Sequence, residues 1–146
     1  MINSDIARYI RENGRYVGVP TGTSMFPMLH NKADIIVIEP FDKKPEIRDV
    51  ALYLRADGSH VLHRIVGKDE NGYIMCGDNQ WVKEHGIKAD VVLGELKGFY
   101  RGERYIDCKT DKKYLRYVRF WDAFFPVRRL LLKFIRKFYL MRGKGD

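Results

Sequence analysis

A serine, a histidine and a carboxylate lie in segments of the chain where a hydrolase could use them. Ser24 stands in GTSMFPML, His63 in the apolar run VLHRIVG, and Asp78 in CGDNQ. A histidine can take the proton of a serine hydroxyl and later donate it to the leaving amine, while a carboxylate holds the ring in the required tautomer. These residue types predict acyl transfer, provided that the fold brings them together.

The segment around Ser24 favours a stiff, non-repetitive turn. Pro27 disfavours a helix interior and a central strand, and Gly22 permits backbone angles that other residues avoid. Backbone N–H groups between Gly22 and Ser24 could then bind the oxyanion of a tetrahedral intermediate. An ordinary structural turn would have the same composition.

Each candidate also has an ordinary structural explanation. A lone serine here is more often a turn residue, a strand histidine is more often packing, and Gly-Asp-Asn most often forms a turn. His60 lies three residues before His63, so on a strand the two rings point to opposite faces and cannot share a metal ion. We expect no metal site and no cofactor.

The elements that must position these residues are short strands. Runs rich in Val, Ile, Leu and Tyr alternate with turn sequences such as KKPE, ADGS and KDENG. Residues 3–13, with a cap at Asn3 or Ser4, predict a short N-terminal helix. We therefore expect a mainly β fold, a small coiled β-barrel or sandwich, in residues 1–110, followed by a basic amphipathic C-terminal tail in residues 111–146.

The net charge of +8 is carried entirely by this tail. Residues 1–110 hold 16 basic and 16 acidic side chains, whereas residues 111–146 hold 11 basic and 3 acidic ones. A nucleic-acid-binding body would carry the charge on its own face, so nucleic acid is disfavoured as the partner. With two cysteines, no secretory signal and no spanning apolar run, we expect a cytoplasmic protein, peripheral at the inner face of the membrane.

The tail has the pattern of an amphipathic helix from Pro126 to Met141. At about 100° per residue, one face carries Val127, Leu130, Leu131, Phe134, Ile135, Phe138 and Met141. The opposite face carries Arg129, Lys133 and Arg136. This pattern predicts a helix on an anionic membrane surface, with Phe134 and Phe138 in the lipid. A helix packed on the barrel with a solvated charged face fits equally well.

Five motifs follow one another between about residues 21 and 101. They are Ser24-Met25-Phe26-Pro27, Ala33-Asp34-Ile35-Ile36-Val37, Arg48-Asp49-Val50-Ala51-Leu52, Gly77-Asp78-Asn79 and Val92-Leu93-Gly94. In this order they resemble the type I signal peptidase and self-cleaving repressor superfamily of serine peptidases. Leu62-His63-Arg64 stands where the general base is expected, and it is similar to the endoplasmic-reticulum branch, which uses histidine where most bacterial members have lysine.

The resemblance implies a serine endopeptidase that cleaves a precursor or leader peptide with a Ser24–His63 pair. The third residue would be Asp78, which we rank first, or Glu84, six residues later, where that branch usually has an acid. A histidine base needs little tuning, because its ordinary pKa of about 6.5 is already near neutral pH.

The resemblance also assigns supporting roles around the nucleophile. Many signal peptidases have an oxyanion-supporting hydroxyl two residues before the serine, a position that Gly22 occupies here between the hydroxyls of Thr21 and Thr23. The substrate groove would be lined by Met25, Phe26 and Pro27. Two other functions fit the sequence: an inactive member that binds peptides in the same groove, and a lipid- or nucleic-acid-binding module acting through the tail.

Overall fold

The computed structural model of the protein describes residues 4–143, in which the strands of an antiparallel sheet are preceded along the chain by one helix and followed by two. The strands are β1 (Tyr16–Gly18), β2 (Ile35–Glu39), β3 (Val50–Leu54), β4 (His60–Asp69), β5 (Gly72–Cys76), β6 (Glu84–Ile87), β7 (Val92–Arg101) and β8 (Arg104–Asp107). The helices are α1 (Asp5–Asn13), α2 (Lys112–Ala123) and α3 (Arg128–Met141), with 3-10 turns at Ala89–Val91 and Phe125–Val127. The mainly β fold with helical ends is confirmed.

The sheet is open, so the small coiled barrel that the sequence predicted as one alternative to a sandwich does not close. Its strand order is β1-β2-β7-β3-β4-β5-β6, and β8 pairs with the far end of β7. Within residues 4–143 no pairing joins the end strands β1 and β6, which are only three and four residues long. Register shifts interrupt four of the pairings, β2–β7, β3–β7, β4–β5 and β5–β6. Such irregularities bend the interrupted strands and increase the local twist.

Helix α1 forms as its caps predict. The Ser4 hydroxyl accepts a hydrogen bond from the N–H of Ala7 at 3.4 Å, and Gly14 ends the helix in the left-handed conformation with φ 77°. Ala7 and Ile10 are its buried residues. The alternative cap, Asn3, lies outside the described residues.

The first helix of the basic tail belongs to the core of the domain. In α2, Tyr114, Val118 and Trp121 are buried, and Tyr114 and Val118 pack in the same cluster as Ile38 of β2. Helix α2 is therefore joined to the body by a shared core. No helix in the described part of the chain is long and apolar enough to cross a membrane.

A buried ion pair ties the sheet to α2. Arg64 of β4 is 2% exposed and Asp78, just after β5, is fully buried. Nε and Nη2 of Arg64 donate to the two carboxylate oxygens of Asp78 at 2.9 and 2.8 Å. The Tyr117 hydroxyl donates to the same carboxylate at 2.8 Å, and the Trp121 indole N–H donates to the Asp78 carbonyl at 3.0 Å.

This geometry predicts that Asp78→Asn is strongly destabilising. Removing the negative charge leaves the Arg64 guanidinium buried without a counter-charge, which costs about 3–5 kcal/mol in the free energy of unfolding. The measurement is equilibrium unfolding in urea, with Asp90→Asn, an exposed aspartate that forms no ion pair with the described residues, as the matched control. A loss below about 1 kcal/mol would show that the pair is not structural.

Candidate active site

The turn that carries Ser24 is anchored by its apolar neighbours. Four side chains of the segment are buried, namely Met25, Phe26, Met28 and Leu29. The Leu29 N–H donates to the Met25 carbonyl at 2.9 Å, and the Phe26–Pro27 peptide bond is cis. Gly22 has φ 91°, a value that glycine adopts readily, and Ser24 itself is half-buried. The predicted non-repetitive turn is confirmed.

The Gly77-Asp78-Asn79 motif forms hydrogen bonds that hold the Ser24 turn in place. The Asn79 N–H donates to the Ser24 carbonyl, and the Asn79 side-chain amide donates to the Thr23 carbonyl, both at 2.9 Å. A Cβ atom at Gly77 would collide with the Ser24 carbonyl and lie 3.1 Å from Nε2 of His63. Only glycine therefore lets the Ser24 turn and the His63 ring approach each other here.

His63 is held by a tyrosine, and the tyrosine is held by a glutamate. The His63 ring is 3% exposed, and its Nδ1 lies 3.2 Å from the Tyr53 hydroxyl oxygen. That hydroxyl donates to Oε2 of Glu84 at 2.8 Å, and Arg55 donates to the same carboxylate at 2.8 Å. The chain of contacts runs from Glu84 through Tyr53 to the imidazole.

This chain determines the tautomer of His63. An ionised carboxylate only accepts hydrogen bonds, so the Tyr53 proton is directed at Glu84 and the Tyr53 oxygen accepts from His63. Nδ1 then carries the imidazole proton, and Nε2 keeps its lone pair. Nε2 is the nitrogen beside Gly77 and the Ser24 turn, so the free lone pair lies on the side of the serine.

The charge states follow from burial and neighbours. Burial, helped by the nearby Arg55 charge, lowers the pKa of His63 to about 4, below the ordinary value expected from the sequence. The hydrogen bond from Arg55 lowers the pKa of Glu84, which therefore stays ionised. Burial raises the pKa of Tyr53 well above its ordinary value, so the phenol keeps its proton. At neutral pH the site holds a neutral imidazole.

Asp78, ranked first as the orienting carboxylate, does not contact His63. Its Oδ1 accepts from Arg64 and its Oδ2 from Arg64 and Tyr117, and no hydrogen bond joins Asp78 to His63 within residues 4–143. The reason is strand geometry: His63 and Arg64 are consecutive on β4 and point to opposite faces of the sheet. Asp78 lies on the Arg64 face, whereas Glu84 reaches the His63 face through Tyr53.

Tyr53 is the residue that sequence reasoning missed. It pairs with Val61 in the β3–β4 ladder, so it lies diagonally opposite His63 on the same face. The turn sequence ADGS between the two strands could have indicated this register, because the length of a hairpin loop determines which residues face each other.

The predicted oxyanion groups have different surroundings. Thr21 is exposed, and the Gly22 N–H donates to the Asn31 side chain at 3.0 Å. The Thr23 carbonyl accepts a hydrogen bond from the Asn79 side chain. The Ser24 N–H and the Ser24 hydroxyl make no hydrogen bond with any described residue. Both groups are therefore available to a ligand.

The residues predicted to line the groove are mostly packing residues. Phe26 is 5% exposed and its ring lies 5.0 Å from that of Tyr139 in α3. Met25 is equally buried but lines a cavity beside Ser24, and Pro27 lines a separate one.

Two cavities meet at Ser24 and His63. The larger, about 770 Å³, also contacts Thr23, Arg55, Asn79, Lys83, Glu84 and Arg136. The smaller, about 300 Å³, has apolar walls that include Met25, Leu29, Ile36, Leu52 and Leu62. Arg136, one of the residues predicted to lie on a membrane surface, is exposed and donates to the Asn79 side-chain oxygen at 2.8 Å. Both cavities have mixed walls, because Met75, Trp81 and Val82 also line the larger one and Arg55, His60 and Gln80 also line the smaller one.

Searches against protein-family models, curated proteins and solved structures found no match. Across residues 4–143, no group of three or more His, Cys, Asp or Glu side chains is arranged to hold a metal ion.

Proposed function

We propose that the protein is a serine endopeptidase of the signal peptidase type, in which Ser24 is the nucleophile and His63 the general base. One observation carries the proposal: Ser24 and His63 line the same two cavities, with the free nitrogen of a neutral imidazole beside the Ser24 turn. The ordered sequence motifs that resemble the signal peptidase superfamily support the same chemistry.

The first chemical step is attack on the scissile carbonyl. The Ser24 oxygen forms a bond to the carbonyl carbon while Nε2 of His63 takes the hydroxyl proton. The tetrahedral intermediate collapses when the imidazolium donates that proton to the leaving amine, and an acyl-enzyme remains. Water, deprotonated by His63, then hydrolyses the ester and regenerates the Ser24 hydroxyl.

Tyr53 and Glu84 act through His63 and serve as positioning residues. The Tyr53 oxygen accepts the Nδ1–H bond and so keeps Nε2 as the acceptor. When the ring becomes an imidazolium, the ionised Glu84 lies behind Tyr53 and stabilises the new positive charge. This stabilisation opposes the cost of placing a charge in a buried site.

The oxyanion needs donors close to the nucleophile. The Ser24 N–H, which is free of partners among the described residues, is the donor that the turn offers. The adjacent Thr23 lines the larger cavity and can add its hydroxyl. Each such donor strengthens its interaction as negative charge develops in the transition state.

The substrate would be a precursor or leader peptide that crosses Ser24 in an extended conformation. A side chain that enters the smaller cavity beside Met25, Leu29 and Leu62 would meet an apolar part of its wall, so an apolar residue is expected near the scissile bond. The precursor itself is inferred from the resemblance to the superfamily.

An inactive member that binds peptides in the same cavities is the second candidate. The observation that favours it is the absence, within residues 4–143, of a hydrogen bond between the Ser24 hydroxyl and His63. Catalytic hydrogen bonds often tighten only when substrate is bound, so this observation does not exclude activity.

The first functional test is labelling with a fluorophosphonate probe. We expect the native protein to be labelled and Ser24→Ala to be unlabelled and unable to cleave peptides. Because the Ser24 hydroxyl has no partner among the described residues, its loss should change the free energy of unfolding by less than about 0.5 kcal/mol. Ser59→Ala, at an exposed serine in the β3–β4 turn, is the matched control and should label normally.

Labelling that persists in Ser24→Ala would refute the nucleophile. If the native protein is neither labelled nor able to cleave peptides, and if native protein and Ser24→Ala bind peptides with the same affinity, the protein is an inactive peptide-binding member instead.

The second test separates the two positioning residues by a double-mutant cycle. Tyr53→Phe removes the acceptor for Nδ1–H and should lower kcat by about 10–100-fold, in the range typical of a hydrogen-bond partner that orients a functional histidine. Glu84→Ala should cost more, up to about 10⁴-fold, because the freed Tyr53 proton then turns to Nδ1 and holds the wrong tautomer. The double variant should therefore be faster than Glu84→Ala alone.

The measurement is kcat/KM as a function of pH for the four proteins. In the native protein the rate should rise through a pKa of about 4 and stay level above it, because only the neutral imidazole accepts the serine proton. A double variant slower than Glu84→Ala, or a native rate that rises only above about pH 8, would contradict this arrangement.

A further inference from the structure

We infer that α2 and α3 bind an anionic membrane surface through exposed apolar side chains bordered by basic residues. The apolar set, called here the outer strip, consists of Phe120, Phe124, Val127, Leu130, Phe134, Phe138 and Met141. Every member is at least 44% exposed, and Met141 is 77% exposed. The inference is independent of the proposed peptidase activity.

One face of α3 is held by the body and the other is left free. Arg128 and Leu132 are each 1% exposed, and Tyr139 packs on Phe26. The α3 members of the outer strip follow at intervals of three or four residues, so they project together on the other side of the helix. The rings of Phe120 and Phe124 lie 4.4 Å apart and extend the strip onto α2.

Part of the predicted apolar face of α3 thus packs against the body of the protein. Leu131 and Ile135 are half-buried, whereas Leu130, Phe134 and Phe138 remain exposed. The two alternatives left by the sequence are therefore combined, because α3 packs on the sheet domain and still presents apolar side chains to its surroundings. Continuous exposed apolar surface of this kind marks an interaction site.

The charge around the outer strip indicates the chemistry of the partner. Nine exposed Lys and Arg side chains lie between Lys112 and Arg142, and none forms an ion pair with a carboxylate of the described chain. The two acids of this part of the structure, Asp111 and Asp122, are paired with Arg104 and Arg48. The surface is therefore positive throughout, beside a neutral body.

An anionic bilayer satisfies both features of this surface. A second copy of the chain would place the same positive surface against itself, which repulsion disfavours. Nucleic acid would pair with the cations but leave the Phe and Leu side chains in water. Lipid headgroups pair with the cations while the hydrocarbon boundary receives the apolar side chains.

The same helix reaches the candidate active site. The Arg129 guanidinium lies 5.4 Å from the ring centre of Trp81, which lines the larger cavity, and Arg136 binds Asn79. A protein docked through the outer strip would therefore hold this cavity close to the membrane.

The test is vesicle sedimentation of the full chain carrying Ser24→Ala, so that the result does not depend on catalysis. Vesicles of phosphatidylcholine are compared with vesicles that also contain phosphatidylglycerol, at low and high salt. We expect binding only to the anionic vesicles, and weaker binding at high salt.

Paired variants report on the two components of the surface. Phe134→Ser with Phe138→Ser should lower the partition coefficient about tenfold for each substitution. Lys133→Gln with Lys137→Gln should lower it about fivefold for each lysine. The controls are Val17→Ser, at an exposed apolar residue of the body, and Lys43→Gln with Lys44→Gln, at exposed body lysines. Neither control should change binding.

Three outcomes would overturn the inference. One is the absence of binding to anionic vesicles at low salt. Another is complete displacement by duplex DNA together with normal binding by the Phe134→Ser, Phe138→Ser variant, which would identify a phosphate-binding surface. The third is a concentration-dependent dimer, seen by light scattering, that the same variant abolishes.

Discussion

The buried ion pair between Arg64 and Asp78 is the interaction on which the site depends. A guanidinium and a carboxylate this deeply buried require each other, because either charge alone in the interior is costly. Arg64 follows His63 in the chain, and Asp78 precedes Asn79, whose amide groups hold the Ser24 turn. A single charged contact therefore helps to fix where His63 and Ser24 lie relative to each other.

The two faces of β4 carry side chains with different surroundings. Arg64 points into the core, where Asp78 and Tyr117 satisfy it, and His63 points to the cavities. Because Asp78 is needed for structure, the orientation of His63 falls to Tyr53 and Glu84 on the other face. In this arrangement the buried His63 imidazole stays neutral. The Glu84 carboxylate is separated from it by the Tyr53 side chain and forms an ion pair with Arg55.

Much of this could be predicted from local sequence. The capped helix, the short strands and the Ser24 turn follow from spacing and from Gly and Pro. Tyr53 could not be identified without the register of the β3–β4 hairpin, and the role of Asp78 depended on which face of β4 it meets. The helical pattern also could not predict which face of α3 packs on the body. Arg128 is buried there, with its guanidinium over the rings of Trp121 and Phe125, where an apolar residue would be expected.

The central claim is that His63 is neutral at physiological pH with its proton on Nδ1. It is tested most directly by nitrogen-15 NMR of histidine-labelled protein, with His63→Gln used to assign the signal. The account predicts that Nδ1 carries the proton, that Nε2 does not, and that the ring becomes charged only as the pH falls through about 4. A ring protonated on Nε2, or one that titrates near its ordinary value of about 6.5, would contradict it.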